Sequence, residues 1–248
     1  MSFDEELARE LLTGVGLPTV RLYEWKPWAV SLGHHQDIAE IDASRCSQRG
    51  IDIVRRPTGG RAILHAEELT YSVVMLGGRR SILQMYNDIS NGLVRGLNLF
   101  GVDATLQRSQ PNFAEAYRRP SSIPCFTSSA RYEIEWRGRK LVGSAQRRYS
   151  DGGRDVVLQH GSILCGPAHQ SLVDVLSLRD EEIIGQLRKE LMEKTIDLSA
   201  IRNEAIDMLE LAACIRRGFE QSWGITFTDV PAEKYADILT STERGSNG

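Results

Sequence analysis

The sequence predicts an α+β fold in a single domain. Strand-like runs fill the first third and the middle of the chain with helical segments between them, and the pattern from about residue 170 onward is helical. Three successive strand-like runs between residues 131 and 164 are joined by short glycine turns, which predicts antiparallel neighbours. No repeat, low-complexity segment or convincing domain boundary interrupts the 248 residues. We therefore expect one domain over residues 1–239, followed by a disordered tail at residues 240–248.

The first half alternates helices and short strands. Residues 3–13 form a predicted amphipathic helix, Asp42 caps a short helix that ends at Gly50, and Ser81 with Gln84 resembles a capping box. After that box, apolar residues recur at helical spacing, so this stripe belongs to the core. The predicted strands of this half are residues 19–25, 28–32, 51–55, 61–65, 69–76 and 102–106.

The second half begins with a long polar loop. Residues 107–124 contain three prolines, and long loops inside compact domains are often functional. A predicted hairpin of strands 132–136 and 140–148 follows, and a turn at residues 151–153 leads to a strand at 155–164. Apolar residues that repeat between Ala205 and Phe219 then predict the last long helix.

Composition and charge argue against several classes of protein. The net charge of −3 and the scattered arginine pairs disfavour a nucleic-acid partner. No apolar run approaches the roughly 20 residues that span a bilayer, and the acidic N-terminus is unlike a signal peptide. The four cysteines form no C-x-x-C pair and the histidines no H-x-x-x-H, so we expect neither a disulfide framework nor a metal site. These features predict a cytoplasmic protein with no membrane partner.

The segment at residues 55–65 carries the first candidate binding residues. Gly59 and Gly60 let the backbone approach a ligand closely, and Arg56 supplies a fixed positive charge for phosphate or carboxylate. A plain hairpin turn with surface arginines explains the same residues, so the segment alone does not identify a site. Walker and dinucleotide-binding patterns are absent, and an ordinary nucleotide site is therefore not indicated.

Cys125, Lys140 and His160 are the candidate reactive residues. Cys125 follows a proline just ahead of the hairpin, and Lys140 follows the hairpin turn, which suggests a nucleophilic thiol beside a cationic partner. His160 alternates with apolar residues in its strand, so it faces either a cavity or the core. Each has a structural alternative, because lone cysteines are often buried hydrophobes, strand lysines are often solvated, and core histidines bond to the backbone.

Taken together, these segments resemble the lipoate/octanoate protein ligase and transferase superfamily. The run at residues 55–65 looks like its substrate-pocket loop, residues 138–146 look like its lysine motif, and residues 158–164 look like the strand that follows. Their order and spacing match over roughly residues 3–230. The resemblance implies the catalytic-domain fold of biotin and lipoate protein ligases, with mixed, mostly antiparallel sheets flanked by helices. That family usually has a strand ahead of its first helix, whereas this chain starts almost at the helix.

The resemblance is closest to the cysteine-dependent octanoyltransferases of the Gram-positive type. Lipoate ligases usually carry a third glycine where this chain has Arg61, and an Asp-x-Gly-Asn stretch where it has residues 66–69. They also tend to lack a cysteine ahead of the lysine hairpin, whereas Cys125 stands there in a Pro-Cys-Phe context. An ATP-dependent ligase, an amidotransferase between lipoyl-bearing proteins and a non-catalytic acyl-binding homologue remain as alternatives.

The resemblance implies an acyl transfer through Cys125. Octanoyl would arrive as a thioester on acyl carrier protein, pass to Cys125, and leave to a lysine of a lipoyl domain or glycine-cleavage H protein. No cofactor is needed, whereas the ligase alternative would use ATP and Mg²⁺. Lys140 would act either as a cation that stabilises the thiolate and oxyanion or as a neutral base. The implied substrate-binding residues are Arg56, Thr58, Gly59, Gly60, His65, Gly143, Ser144, Ala145 and His160.

Overall fold

The computed structural model describes residues 1–108 and 132–230, so the predicted nucleophile Cys125 and the tail at 240–248 lie outside the described residues. The helices are α1 (Ser2–Thr13), α2 (Ala43–Gln48), α3 (Ile82–Leu99), α4 (Glu181–Lys194), α5 (Leu198–Arg202) and α6 (Met208–Trp223). The strands are β1 (Thr19–Tyr23), β2 (Ala29–Leu32), β3 (Asp52–Arg55), β4 (Ile63–His65), β5 (Glu68–Leu76), β6 (Thr105–Arg108), β7 (Tyr132–Trp136), β8 (Arg139–Asp151) and β9 (Arg154–Leu164). Short 3-10 segments lie at Ile38–Glu40 and Pro167–Val175.

The strands form two sheets. The larger sheet has six strands in the order β1-β5-β9-β8-β7-β6, and every neighbouring pair is antiparallel. The smaller has the order β3-β2-β4, with β3 parallel and β4 antiparallel to β2. The predicted α+β class with mostly antiparallel sheets is therefore confirmed. None of the described helices is both long and apolar enough to cross a membrane.

Local signals placed the N-terminal caps of α2 and α3 correctly, whereas the last helix begins at Met208 and not at Ala205, and one strand was misplaced. The Asp42 carboxylate accepts from the backbone N–H of Arg45, and Ser81 and Gln84 form the reciprocal capping box. The strand predicted at residues 102–106 lies at Thr105–Arg108 instead. The reason is that the N–H of Val102 donates to the Leu97 carbonyl at 2.9 Å, which closes the end of α3. That group is consequently not available to a sheet.

The two faces of the six-stranded sheet have different coverings. The face that carries Tyr71 and Ser144, called here the helix face, packs against α3 and α6 in the largest apolar cluster. The opposite face, called here the cleft face, carries Thr70, Gly143 and Ser162. At one end of the cleft face α1 packs against Leu158, and at the other end the smaller sheet covers it. Polar side chains lie between these two coverings.

Helices α3 and α6 approach each other through glycines, which leads to a stability prediction. A Cβ added at Gly218 would lie 2.2 Å from the backbone nitrogen of Gly96 and 2.5 Å from the Gly92 carbonyl oxygen. We therefore expect Gly218→Ala to lower the free energy of unfolding by about 1–3 kcal/mol, since the helices must separate. Urea denaturation measures the change. The matched control is Gly185→Ala in α4, where the added Cβ meets no described atom within 4 Å and should stabilise the fold by about 0.5–1 kcal/mol. Equal effects of the two substitutions would contradict this account.

Candidate functional site

A β-bulge in β8 turns Lys140 onto the cleft face. Val142 pairs with Ile134 and Lys140 pairs with Glu135, so Leu141 is an extra residue in β8. Leu141 and Val142 both pack into the apolar cluster on the helix face. Strict alternation would have placed Lys140 on the same face as Val142. The bulge instead brings its side chain to the face that carries Gly143.

Lys140 is buried and ion-paired. Its Nζ lies 2.7 Å from Oε1 of Glu133, and the two side chains are 5% and 9% exposed. Its carbonyl accepts from the N–H of Ile196 at 3.0 Å, which fixes the backbone on the other side. Burial, together with the neighbouring Glu133 carboxylate, raises the pKa of the Glu135 carboxyl. A carboxylate at this distance favours the charged form of an amine, so the arrangement favours an ammonium at Lys140.

Arg56 shapes the glycine loop. Arg56 is 2% exposed, and its Nη1 donates to the carbonyl of Ser31 on β2 at 2.9 Å. Nη2 donates to the carbonyls of Gly59 at 3.0 Å and Arg61 at 2.6 Å. A second arginine, Arg147 on β8, donates to the Pro57 carbonyl at 2.9 Å. The Arg56 guanidinium thus ties the loop to β2 of the smaller sheet, and the Pro57 carbonyl ties it to β8 of the larger sheet.

The two glycines of this loop have different requirements. Gly60 adopts a φ of 97°, a conformation that residues with a side chain rarely adopt. Gly33 lies against it, since a Cβ added at Gly33 would be 2.0 Å from the Gly60 carbonyl oxygen. A Cβ at Gly59 would meet nothing within 4 Å. Gly60 is therefore needed for the fold of the loop, whereas no atom of the described residues fills the space beside Gly59.

His65 lies in a buried polar cluster. Its Nδ1 is 2.7 Å from Oε1 of Glu68, and its Nε2 is 2.7 Å from Oγ of Ser31. Because a carboxylate only accepts, Nδ1 of His65 donates to Glu68, and Nε2 lies within hydrogen-bond distance of the Ser31 hydroxyl. The indole of Trp25 stacks on the His65 ring, with centroids 4.7 Å apart. These contacts fix the plane of the imidazole.

His160 pairs with Thr58 between the two sheets. Its Nε2 lies 2.6 Å from the Thr58 hydroxyl, and it stands opposite Ala145 in the register of β8 and β9. Burial lowers the pKa of His160 from 6.5 to about 3, so the ring is neutral at physiological pH. Its Nδ1 is buried and has no hydrogen-bond partner among the described residues. The cleft face therefore presents an unused polar atom at this position.

The neutral state of His160 predicts an acid-sensitive fold. The pKa of His160 is lower in the folded protein than in the unfolded chain, so between these two values only the unfolded chain binds a proton at this residue. The free energy of unfolding therefore falls as the pH drops from about 6.5 towards 3. We expect His160 to account for about 2 kcal/mol of lost stability between pH 7 and pH 5. Urea denaturation at both pH values should show a smaller loss for His160→Asn than for the wild type. The exposed His34→Asn should leave the loss unchanged, and an unchanged loss in His160→Asn would refute the assignment.

Ser144 does not join the other predicted site residues. Its hydroxyl accepts from the Tyr71 hydroxyl at 2.6 Å on the helix face, and Gln159 donates to the same Tyr71 oxygen at 3.1 Å. Burial raises the pKa of Tyr71, so the phenol stays protonated and continues to donate. The sheet itself therefore separates Ser144 from Gly143 and Ala145.

Most of the predicted residues lie on or beside the cleft face. The loop residues Arg56, Thr58, Gly59, Gly60 and His65 border the cleft face, where Lys140, Gly143, Ala145 and His160 also lie. The sequence analysis missed Trp25, Ser31, Glu68 and Glu133. Two of these residues could have been noticed in the sequence. Ser31 is a polar residue inside the otherwise apolar strand β2, and Glu68 is an acidic residue at the start of a valine-rich strand. The described residues contain no group of histidine, cysteine and acidic side chains suited to a metal.

Comparison with known proteins identifies the family. The family model described as the lipoyl protein ligase A/B catalytic domain matches residues 1–220. The chain belongs to this family. An octanoyltransferase, LipM, from Kyrpidia tusciae is 38% identical over 98% of this chain and 89% of its own length. The LipM octanoyltransferase of Lysinibacillus sphaericus is 34% identical over 90% of this chain and 81% of its own.

Solved structures share the fold of this lipoyl-ligase-family chain. A putative lipoate protein ligase from Thermoplasma acidophilum with bound lipoic acid superposes with a TM-score of 0.72 at 22% identity, over 97% of this chain and 87% of that one. A bi-partite lipoate protein ligase from the same organism, described with its E2 lipoyl domain, gives a TM-score of 0.70 at 22% identity, over 92% and 82%. At this identity the likeness establishes the fold and not the reaction.

Proposed function

We propose that this protein is an octanoyltransferase of lipoate biosynthesis. The observation that carries the proposal is the 32–38% identity, over most of both chains, to relatives named octanoyltransferase LipM. The residues that distinguish the transferase branch support it, since Arg61 stands in the glycine loop and Cys125 precedes the lysine hairpin. The solved ligases are only 22% identical and support the fold alone.

The proposed reaction has two acyl transfers. The Cys125 thiolate attacks the carbonyl carbon of an octanoyl thioester, the carbon–sulfur bond of the donor breaks, and the donor leaves as a thiolate that takes up a proton. In the second transfer a neutral acceptor amine attacks the carbonyl carbon of the Cys125 thioester and the carbon–sulfur bond breaks. One proton of the amine passes to the leaving Cys125 thiolate, so the products are the amide and the free thiol. Each attack places negative charge on the carbonyl oxygen. A buried ammonium on the cleft face is suited to that oxyanion, so the Glu133 ion pair favours the cationic role of Lys140.

The remaining residues define the acyl site. We propose that the octanoyl chain lies in the space beside Gly59, above Gly143 and Ala145. We also propose that Nδ1 of His160, which has no hydrogen-bond partner among the described residues, contacts the substrate there. Because a thioester already carries an activated acyl group, neither ATP nor a metal is required. The proposed donor is acyl carrier protein, and the proposed acceptors are lipoyl domains or glycine-cleavage H protein. The described cysteines, Cys46, Cys165 and Cys214, are free thiols, which fits a reducing compartment such as the cytoplasm.

Intact-mass spectrometry tests the proposal. After incubation with octanoyl-acyl carrier protein, the protein should gain one octanoyl group that hydroxylamine removes. Addition of an unmodified lipoyl domain should then transfer the group to that domain without ATP. Modification of the domain only with free lipoate and ATP would establish a ligase. Octanoyl transfer that starts only from an octanoylated protein domain would establish the amidotransferase, and tight donor binding with no adduct would indicate a non-catalytic binder.

A further inference from the structure

The Arg56 guanidinium uses its hydrogen-bond donors within the protein. A guanidinium carries five N–H groups in a fixed plane. Nη1 of Arg56 donates to the carbonyl and to the hydroxyl of Ser31, at 2.9 and 3.0 Å. Nε and Nη2 both donate to the Gly59 carbonyl, at 3.2 and 3.0 Å, and Nη2 also donates to the Arg61 carbonyl at 2.6 Å. These five contacts match the five N–H groups, so Arg56 fixes the carbonyls of the glycine loop.

The hydroxyl of Ser31 joins Arg56 to the His65 ring. Ser31 lies in β2 and is fully buried. Its Oγ accepts from Arg56 and lies 2.7 Å from Nε2 of His65. Nδ1 of the same ring donates to Oε1 of Glu68 at 2.7 Å, and the Trp25 indole stacks on one face of the ring. The imidazole therefore connects Ser31 with Glu68, and its two nitrogens contact both partners in one orientation of the ring only.

Glu68 connects this chain of contacts to the larger sheet. It is the first residue of β5 and is 3% exposed. Besides the contact with the His65 ring, its Oε1 accepts from the hydroxyls of Thr70 at 2.6 Å and Ser162 at 2.9 Å. Thr70 in turn accepts from the Trp25 indole at 3.0 Å. Oε2 is buried and has no hydrogen-bond partner among the described residues, so Oε1 makes the contacts that order these side chains.

We propose that Glu68 is a positioning residue, which acts on the glycine loop through His65, Ser31 and Arg56. The inference rests on the proposed octanoyltransferase function, because that loop borders the proposed acyl site. Four hydrogen-bonded side chains lead from β5 of the larger sheet to the loop carbonyls. Without an acceptor at Glu68 the His65 ring would lose one of its two anchors, and Ser31 and Arg56 would lose their fixed geometry. Glu68 therefore acts on the site without touching the substrate.

Acyl-transfer kinetics of the full-length protein test this role. Glu68→Gln keeps an acceptor oxygen for the three donors, whereas Glu68→Met removes the acceptor at similar volume. We expect Glu68→Met to raise the KM for octanoyl-acyl carrier protein about 10-fold, while the saturated rate of octanoyl-enzyme formation stays within about 3-fold of the wild type. Glu68→Gln should stay within about 3-fold of the wild type in both quantities. An unchanged KM in Glu68→Met, a loss confined to the saturated rate, or equal impairment of the two variants would overturn the inference.

Two further variants separate positioning from a general loss of stability. Gly218→Ala disturbs the helix contact on the opposite face of the sheet and should leave the KM unchanged. Ser31→Ala breaks the chain of contacts two steps from Glu68, and it provides the test if Glu68→Met does not fold. It should raise the KM by itself, and its combination with Glu68→Met should raise the KM no further, because both act through one chain. An unchanged KM in Ser31→Ala, additive effects, or an equal rise in Gly218→Ala would contradict the proposed role.

Amide hydrogen exchange tests the positioning role without catalytic turnover. The backbone N–H of His34 donates to the Thr58 carbonyl at 2.9 Å, so its exchange rate reports on the glycine loop. Glu68→Met should speed this exchange about 10-fold, and Glu68→Gln should leave it close to the wild-type rate. The N–H of Ile196, which donates to the Lys140 carbonyl, is the control and should not respond. Equal acceleration at both amides, or none at His34, would refute the positioning role. If His34 responds as expected but no octanoyl adduct forms, the positioning role stands while the proposed function fails.

Discussion

Cys125→Ala is expected to abolish the octanoyl adduct and to reduce acyl transfer at least about 10⁴-fold, since no other group can replace a missing nucleophile. Intact-mass spectrometry after incubation with octanoyl-acyl carrier protein measures the adduct, and transfer to a lipoyl domain measures the rate. Cys125→Ser should fold equally well and form almost no ester, because a serine hydroxyl is far less ionised than a thiol near neutral pH.

The three described cysteines provide the matched controls for this experiment. Burial raises the pKa of Cys165 to about 12, and burial together with nearby carboxylates raises the pKa of Cys46 and Cys214. Thiols in this state are poor nucleophiles at neutral pH. Alanine substitution at Cys46 or Cys214 should therefore leave the adduct unchanged. An adduct that persists in Cys125→Ala and disappears in one of these variants would show that the wrong thiol has been assigned.

The secondary structure could be predicted from the sequence largely because its signals are local. The capping box at Ser81 and Gln84 and the glycine turn between β8 and β9 each involve residues that are close together in the chain. The strand at residues 102–106 was misplaced because its N–H groups are used to close α3, which depends on a helix end and not on β propensity. The helix contact at Gly218 also escaped prediction, because it joins two segments far apart in sequence.

The candidate site could be predicted only in part. The family motifs named residues of both sheets, but the Glu68 cluster joins side chains from β2, β4, β5 and β9, and no local pattern reveals such a grouping. The bulge that turns Lys140 depends on the pairing of β7 with β8. Ser144 was predictable from the strand period, because three consecutive residues of one strand cannot all face one cleft. Its place on the helix face follows from that rule.

Lys140→Met is expected to lower acyl transfer about 10²- to 10³-fold, since the oxyanion loses its preorganised cation. The same substitution should lower the free energy of unfolding by about 3–5 kcal/mol, because it leaves the Glu133 carboxylate buried without the Lys140 ammonium. Lower activity in this single variant could then come either from the missing cation or from a smaller folded fraction. Urea denaturation and transfer rates must therefore be measured on the same preparations.

The double variant Lys140→Met, Glu133→Leu resolves the two effects. It removes both charges and replaces them with apolar side chains of similar volume, so much of the lost stability should return. Acyl transfer should stay as low as in Lys140→Met, because the cation is still absent. Glu133→Gln, which keeps Lys140, should retain more activity than either. Recovery of acyl transfer in the double variant would show that Lys140 serves only to neutralise Glu133, and the cationic role in catalysis would have to be abandoned.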